Sequence, residues 1–301
     1  MANILTLLFN GISEGALYFL MAASLSVILG LMGVVNFAHG TLFLWGAYVF
    51  RMVFIFTGNF FLAIVAAAAA GFILGIIFEK AFIARVYGNI GAQIMITLGL
   101  QIVFTEIVRV IWGPTALVVG RPEFLDGVSQ IALGDMGNVI ISHYRLFLII
   151  VGVAIAIGGH ILLSKTRVGM TIRAGVQNSE MVGALGININ RYFTLVFAVG
   201  GALAGFGGAL FAPLSGSINP DSGNMFQLMA FIVVVVGGMG SFMGSALGSL
   251  FMAVMIALIG WTLPEISLVA PVALMAIILI FKPQGLFKLP QRPRWLKAVK
   301  K

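Results

Sequence analysis

The chain has 301 residues, of which 61% are hydrophobic and 9% are charged. Soluble domains carry roughly 25% charged residues, so this composition excludes an ordinary soluble domain and indicates a polytopic membrane protein. The formal net charge of +8 does not indicate nucleic-acid binding, because the basic residues cluster at the ends of apolar runs. No cysteine is present, which excludes a disulfide framework and thiolate or iron–sulfur chemistry in these residues.

The apolar runs predict eight or nine membrane-spanning helices, since about 20 residues cross a bilayer. The uncharged stretch between Glu14 and Arg51 is too long for one span, so we expect two short spans there, separated at residues 30–40 (GLMGVVNFAHG). That break could instead be re-entrant, which leaves the count open by one. Further spans are predicted at residues 60–78, 92–112 and 144–164, in a run ending near 214, at two places within 225–261 that GGMGS separates, and at 267–281.

The distribution of lysine and arginine predicts the orientation. If the connection 79–91, the segment 165–191 and the tail 282–301 face the cytoplasm, all but four of the 17 basic residues lie inside, as the positive-inside rule requires. The polar loop 113–143, in which acidic residues outnumber the single Arg121, then lies outside. The N-terminus is expected outside and the C-terminus inside.

Glycines at four-residue spacing predict close helix packing, because small residues let helix backbones approach in lipid. A face that slides during a transport cycle is the other reading of the same spacing. The glycines are Gly71 and Gly75, Gly201 and Gly205, and Gly240, Gly244 and Gly248.

Polar residues inside apolar runs are candidates for function, because they are costly in hydrocarbon. Asn36 and His39 lie at positions i and i+3, and they form either a buried, hydrogen-bonded pair that stabilises a helix break or part of the lining of a permeation path. Gln101 is open to either a structural role or a role in the pathway. Glu14 and Glu106 are expected to be anchors near helix ends.

Catalytic and metal-binding patterns are absent from the sequence. The histidines His39, His143 and His160 have no second ligand at metal-site spacing, and no phosphate-binding loop motif occurs. We therefore expect no cofactor or metal in this chain, and no enzymatic activity of its own.

The segment 165–191 is a basic, polar stretch of about 25 residues between two spans, and it is expected to contain a short helix. Three apolar residues recur near the helical period: Ala174, Met181 and Leu185. Gly183 and Gly186 would let the chain turn. The segment is either a helix that docks into the groove of a soluble partner or an ordinary solvated loop.

Four stretches resemble permeases of the branched-chain amino acid type of ABC importers: RAGVQNSEMVGALGINI with FAVGGALAGFGGAL, NFAHG, VVVVGGMGSFMGSALGSL and FKPQGLF. They occur in register over nearly the whole chain. The resemblance implies an all-α polytopic membrane protein of the type II-like importer fold. It would form one transmembrane domain, 1–301, containing the coupling segment 165–191 and the basic cytoplasmic tail 282–301.

The resemblance further implies a bacterial inner-membrane permease that pairs with a homologous permease or with itself. Two cytoplasmic ATPases would bind ATP and Mg²⁺, a periplasmic binding protein would deliver solute, and alternating access would carry it inward. Leucine, isoleucine and valine are the implied substrates, although relatives carry urea, short amides or aromatic acids. The coupling role falls by resemblance on Arg173, Ala174, Asn178, Glu180, Ala184, Gly186, Ile187 and Asn188. Val182 and Gly183 stand where the family commonly has alanine.

Two other classes remain open from the residues alone. A partner-independent secondary transporter or channel should show inverted halves or a charged intramembrane relay, and the spans are nearly free of charge. A membrane-embedded redox or lipid-modifying enzyme should show histidine pairs or carboxylate clusters, and the sequence has neither.

Overall fold

The structure is a computed structural model that describes residues 2–132, 137–177, 179–184, 186 and 188–287. Eleven α-helices occur in the described residues. They are α1 Ala2–Met32, α2 His39–Thr57, α3 Phe60–Ala81, α4 Ile90–Trp112, α5 His143–Lys165, α6 Arg167–Gln177, α7 Ser179–Ala184, α8 Ile189–Ser215, α9 Ser222–Gly237, α10 Phe242–Thr262 and α11 Ala270–Phe281. Short 3-10 turns lie at Ile83–Val86, Glu123–Leu125 and Pro264–Ile266.

Seven helices in the described part of the chain are long and apolar enough to cross a membrane: α1, α2, α3, α4, α5, α8 and α10. Two shorter apolar helices, α9 and α11, have 16 and 12 residues. The predicted break between the first two spans is present at residues 33–38, and the break within 225–261 lies between α9 and α10. The fold is therefore a mostly helical, multi-pass membrane fold.

The first span does not begin beyond Glu14, as the charge pattern suggested, because α1 begins at Ala2 and contains Glu14 in its first half. The Glu14 carboxylate lies 3.4 Å from the Arg145 guanidinium of α5. Pairing with a cation lets the carboxylate lie within the helix rather than at its end. Glu14 therefore indicates a contact between α1 and α5, not the start of the span. Arg51 likewise lies inside α2, where its Nε donates to the Val118 carbonyl at 3.0 Å.

The helices at the centre and at the edge differ in burial. In the apolar windows of α1 and α8, 67% of the residues are buried, against 22% in α4 and 11% in α5. Helices α1 and α8 therefore form the centre of the bundle. Helices α4 and α5 present apolar side chains outward, to lipid or to another subunit.

Helix α8 crosses α3 and α2 by direct backbone contact. A Cβ on Gly71 of α3 would collide with the Gly201 carbonyl oxygen of α8, and a Cβ on Gly201 would collide with the Gly71 carbonyl. A Cβ on Gly46 of α2 would collide with Gly205 in the same way. These three helices approach as closely as glycine allows.

Glycines also join α9, α10 and the end of α1. Gly244 and Gly248 of α10 face Gly237 of α9. Gly240 does not share their helix, because α10 begins at Phe242; it lies in the preceding turn with φ +78° and packs against Gly30 of α1. The four-residue spacing therefore predicted one helix face where the structure has a turn followed by a helix.

The loop 113–142 contains short strands that the sequence did not predict. Strand β1 Leu117–Val118 pairs antiparallel with β4 Ser217–Ile218, and β2 Val128–Ala132 pairs antiparallel with β3 Asn138–Ser142. Strands of two to five residues are too short to show a clear alternation in sequence. The β1–β4 pairing and the Arg121 Nε, which donates to the Pro213 carbonyl at 3.1 Å, fasten this loop to the end of α8.

Candidate functional site

The break between α1 and α2 places unwound backbone inside the protein. Gly33 has φ +63°, a left-handed conformation that glycine adopts without strain and that lets the chain leave the helix. From there the chain runs back into the bundle, where Val34, Asn36, Ala38 and His39 are fully buried. Non-helical backbone in a membrane protein is tolerated where protein groups satisfy it, so its hydrogen-bond partners define the site.

Gln227 of α9 supplies two of those partners. Its Oε1 accepts a hydrogen bond from the Gly40 N–H at the start of α2, and its Nε2 donates to the Asn36 carbonyl at 3.3 Å. The side chain is nearly fully buried. One glutamine thus joins the unwound segment and the first turn of α2 to a helix almost 200 residues further along the chain.

Gln93 of α4 supplies a third partner. Its Oε1 accepts from the Val35 N–H at 3.4 Å, and its Nε2 donates to the Val86 carbonyl at 3.3 Å. The Asn36 side chain closes the segment locally, since its Oδ1 accepts from the Ala38 N–H at 3.0 Å. The break is consequently held by side chains from three parts of the chain.

His39 is the first residue of α2 and is bonded to α1. Its Nε2 lies 2.7 Å from the Ser24 Oγ. Asn36 and His39 are not bonded to each other; each has a separate partner. The helix break and the burial of both residues are confirmed, but the predicted hydrogen bond between them is wrong: the stabilising contacts come from Ser24 and Gln227.

Three buried polar atoms beside the break have no hydrogen-bond partner among the described residues: Asn36 Nδ2, His39 Nδ1 and Thr41 Oγ1. An unpaired buried polar group costs about 1–3 kcal/mol, and native proteins keep few of them. This concentration within six residues makes the break, with Gln227 and Gln93, the candidate functional site.

Gln101 lies elsewhere. Its Nε2 donates to Asn224 Oδ1 of α9 at 2.6 Å, at a more exposed position. One to two turns away, the Arg109 guanidinium contacts Glu106 at 2.5 Å and Asp221 at 2.8 Å. Gln101 therefore belongs to a polar contact between α4 and the start of α9, and it does not meet Asn36 or His39.

The segment 165–191 contains two helices, α6 and α7, where a single short helix was expected. Arg173 and Ala174 lie on α6, and Glu180 and Ala184 lie on α7. Gly186 has φ +79° and makes a turn, and the Asn188 Oδ1 caps α8 by accepting from the Arg191 N–H at 3.4 Å. Asn178, Leu185, Ile187 and the tail from residue 288 lie outside the described residues.

Sequence reasoning missed Gln227, Gln93 and Ser24. The signal that selected Gln101, an uncharged polar residue in an apolar run, applies equally to both glutamines. Ser24 carried no such signal, because a serine hydroxyl in a helix can bond to its own backbone, as Ser24 also does with Met21 at 2.9 Å.

A bundle of membrane-spanning helices with a buried polar break has the build of a transport protein. The sequence model of the family described as "Branched-chain amino acid transport system / permease component" matches residues 7–280. The chain belongs to this family. It is an ABC transporter permease and a multi-pass inner-membrane protein.

Individual relatives are similar over nearly the whole chain. The identity is 28% over 295 residues to the high-affinity branched-chain amino acid transport system permease protein BraD of Pseudomonas aeruginosa, and 30% over 297 residues to LivH of Salmonella typhimurium; both alignments cover 94% of this chain and 95% of the relative. LivM of Salmonella typhimurium is 27% identical over 316 residues, covering 94% of this chain and 70% of LivM. A solved structure, PsaBC from Streptococcus pneumoniae, is similar with a TM-score of 0.48 and 14% identity, covering 96% of this chain and 94% of that chain.

Proposed function

We propose that this chain is one of two permease subunits of an ATP-driven importer. It carries branched-chain amino acids, or related small polar solutes such as urea or short amides, from the periplasm to the cytoplasm. The observation that supports this best is the family match over residues 7–280. The similarity to both LivH and LivM of one organism favours a homologous second permease as the partner.

The buried break is the proposed contribution to the translocation path. Asn36, His39 and Thr41 each offer a hydrogen-bonding group that has no partner in the described part of the chain. A solute with an ammonium, carboxylate or amide group needs such partners on leaving water. Opening of the break, with Gln227 as the contact that must give way, would present these groups to the solute.

The coupling role is proposed for α6 and α7, which stand between α5 and α8. Exposed apolar side chains on these helices, Met170 at 59% and Met181 at 64%, suit the groove of a partner ATPase. The ATPases would bind ATP and Mg²⁺ and supply the free energy, and a periplasmic binding protein would deliver solute on the opposite side.

Co-purification tests the coupling proposal. Glu180→Lys in α7 should reduce recovery of the ATPase subunits at least fivefold, because it reverses a charge on the proposed docking helix. The matched control is Glu265→Lys, the same change at an exposed position in the 3-10 turn before α11. The coupling assignment fails if Glu180→Lys leaves both ATPase association and uptake intact.

Orientation can be tested directly because the chain contains no cysteine. Ala174→Cys in α6 should react with a membrane-impermeant maleimide only from the cytoplasmic side, and Ser129→Cys in β2 only from the outside. Reaction of Ala174→Cys from the periplasm would overturn the placement of α6 and α7.

Substrate class is tested with the full complex in proteoliposomes. Uptake of labelled leucine should require ATP and all subunits, and should be absent from vesicles that contain the permease pair alone. Uphill uptake without the ATPases would instead support a partner-independent transporter. Competition by isoleucine, valine, urea and acetamide then ranks the solutes.

A further inference from the structure

A cleft of about 590 Å³ lies where the last turn of α3 meets the first turns of α8. The chain that follows α3, including Tyr87, forms one wall, and Asn188 and Asn190 form another. The break described above contributes no residue to this cleft. Its lining combines charged, amide and apolar side chains.

The two helices present matching faces to the cleft. On α3, the lining residues Lys80, Ile76 and Phe72 follow one another at four-residue spacing, and on α8 they are Arg191, Leu195 and Ala198. Helices α3 and α8 run antiparallel, since Gly71 meets Gly201 and Gly75 meets Phe197. Both cations therefore lie at the same end of the cleft, and apolar side chains lie about 6 and 12 Å further along each helix.

A buried carboxylate holds the two helices together at this end. Glu79 is 2% exposed; its Oε1 accepts from the Tyr87 hydroxyl at 2.7 Å, and its Oε2 accepts from the Thr194 hydroxyl at 2.7 Å. Burial, together with the hydrogen bond to Glu79 and its charge, raises the pKa of Tyr87 above its ordinary value, so the phenol keeps its proton. Both carboxylate oxygens are thereby occupied by hydroxyl donors.

The two cations at the cleft outnumber its one acid, Glu79, whose carboxylate oxygens are taken up by hydroxyl donors. In the described parts of the chain, neither Lys80 nor Arg191 forms an ion pair; the ion pairs there involve Arg109, Arg121 and Arg145. Lysine and arginine at the ends of membrane helices usually extend into water. Here one cation from each helix borders the same cavity, and the apolar part of that cavity extends toward the membrane interior.

We propose that this cleft binds an anionic phospholipid of the cytoplasmic leaflet. The phosphate lies between Lys80 and Arg191, within reach of the amides of Asn188 and Asn190, and an acyl chain follows the apolar faces of α3 and α8. Basic pockets between membrane helices on the cytoplasmic side suit lipid headgroups. This inference rests on the proposed orientation, which places this end of α3 inside.

The full-length chain, purified in detergent and examined by native mass spectrometry, tests the site with phosphatidylglycerol and phosphatidylcholine as probes. The wild type should retain phosphatidylglycerol in preference to phosphatidylcholine. Each of Lys80→Gln and Arg191→Gln should weaken phosphatidylglycerol retention about fivefold. Arg85→Gln is the matched control, because Arg85 is exposed on the same connection and does not line the cleft.

A second variant addresses the acyl chain. Ile76→Trp should fill the apolar part of the cleft and reduce phosphatidylglycerol retention while leaving both cations in place. Equal retention of the two lipids by the wild type, or unchanged phosphatidylglycerol retention in the double variant Lys80→Gln with Arg191→Gln, would overturn the site. The measurement needs no ATPase. If the chain recruits no ATPase but still prefers phosphatidylglycerol, the importer proposal fails and the lipid site stands.

Discussion

Where α3 crosses α8, the chain packs glycine backbone against glycine backbone, and no polar side chain takes part in the closest contact of Gly71 and Gly201. At the break between α1 and α2, backbone groups are also met by the side chains of Gln227 and Gln93, and three polar atoms have no partner among the described residues. Direct backbone packing there involves Gly40 of α2 and Gly223 of α9. The first contact is specified by shape and tolerates no added atom. The second is specified by hydrogen bonds that can be exchanged, so we expect the crossing to be rigid and the break to be the part that can open.

The largest effect is expected at the crossing. Gly201→Ala should destabilise the protein by roughly 3 kcal/mol, because the added Cβ must displace the backbone of α3 rather than a side chain. Thermal denaturation of the purified chain in detergent measures this. Gly99→Ala is the matched control: Gly99 lies within α4 with nothing near its Cβ position, so this change should be neutral or stabilising by up to about 1 kcal/mol. Equal melting temperatures for Gly201→Ala and Gly99→Ala would show that the crossing of α3 and α8 tolerates an added Cβ.

A smaller loss of stability is expected at the break. Gln227→Leu should cost about 2 kcal/mol, since it leaves the Gly40 N–H and the Asn36 carbonyl unpaired. Gln101→Leu removes the same kind of side chain from the more exposed contact with Asn224 and should cost about 0.5 kcal/mol or less. If both variants melt alike, the buried glutamine does not hold the break.

His39→Leu separates function from stability. The Ser24 hydroxyl keeps carbonyl acceptors on its own helix, so the complex should assemble normally, whereas uptake should fall about tenfold, or about 1.4 kcal/mol in the barrier. His160→Leu, the same change at an exposed position of α5, should leave uptake unchanged. Normal uptake in an assembled His39→Leu complex would show that Asn36 and His39 are structural.

The smallest effect is expected where α3 meets α8 through Glu79. Thr194→Val should cost about 1 kcal/mol, because it removes one of the two hydroxyls that donate to the buried carboxylate. Thr262→Val is the control, since Thr262 bonds the carbonyl four residues before it, as Thr194 also does, and no carboxylate. If Thr194→Val and Thr262→Val lower the melting temperature by the same amount, the Tyr87 hydroxyl alone is enough to stabilise the Glu79 carboxylate.

The apolar runs located the helices because hydrocarbon thickness restricts every span in the same way. The predicted start of the first span was wrong because Glu14 was taken as a boundary. Its partner Arg145 lies 131 residues away in sequence, so the pairing could not be foreseen. Distance in sequence also concealed the partners of the break. NFAHG indicated a polar interruption, but only the folded chain brings Gln227 to Gly40, which is 187 residues away. Gly240 illustrates a local failure, because spacing alone does not separate a turn with positive φ from a helix face.

Glycines of α2, α3 and α8 pack backbone against backbone, so we expect these three helices to move together when one of them is displaced. Because α8 begins at Ile189, shortly after α6 and α7, a displacement of those two helices would reach α2, α3 and α8 together. The loop 113–142 is hydrogen-bonded to two of these helices, α2 through Arg51 and α8 through Arg121. We therefore expect these three helices to tilt as one unit and the break to open beside them, where Gln227 of α9 and Gln93 of α4 bond to it through their side chains.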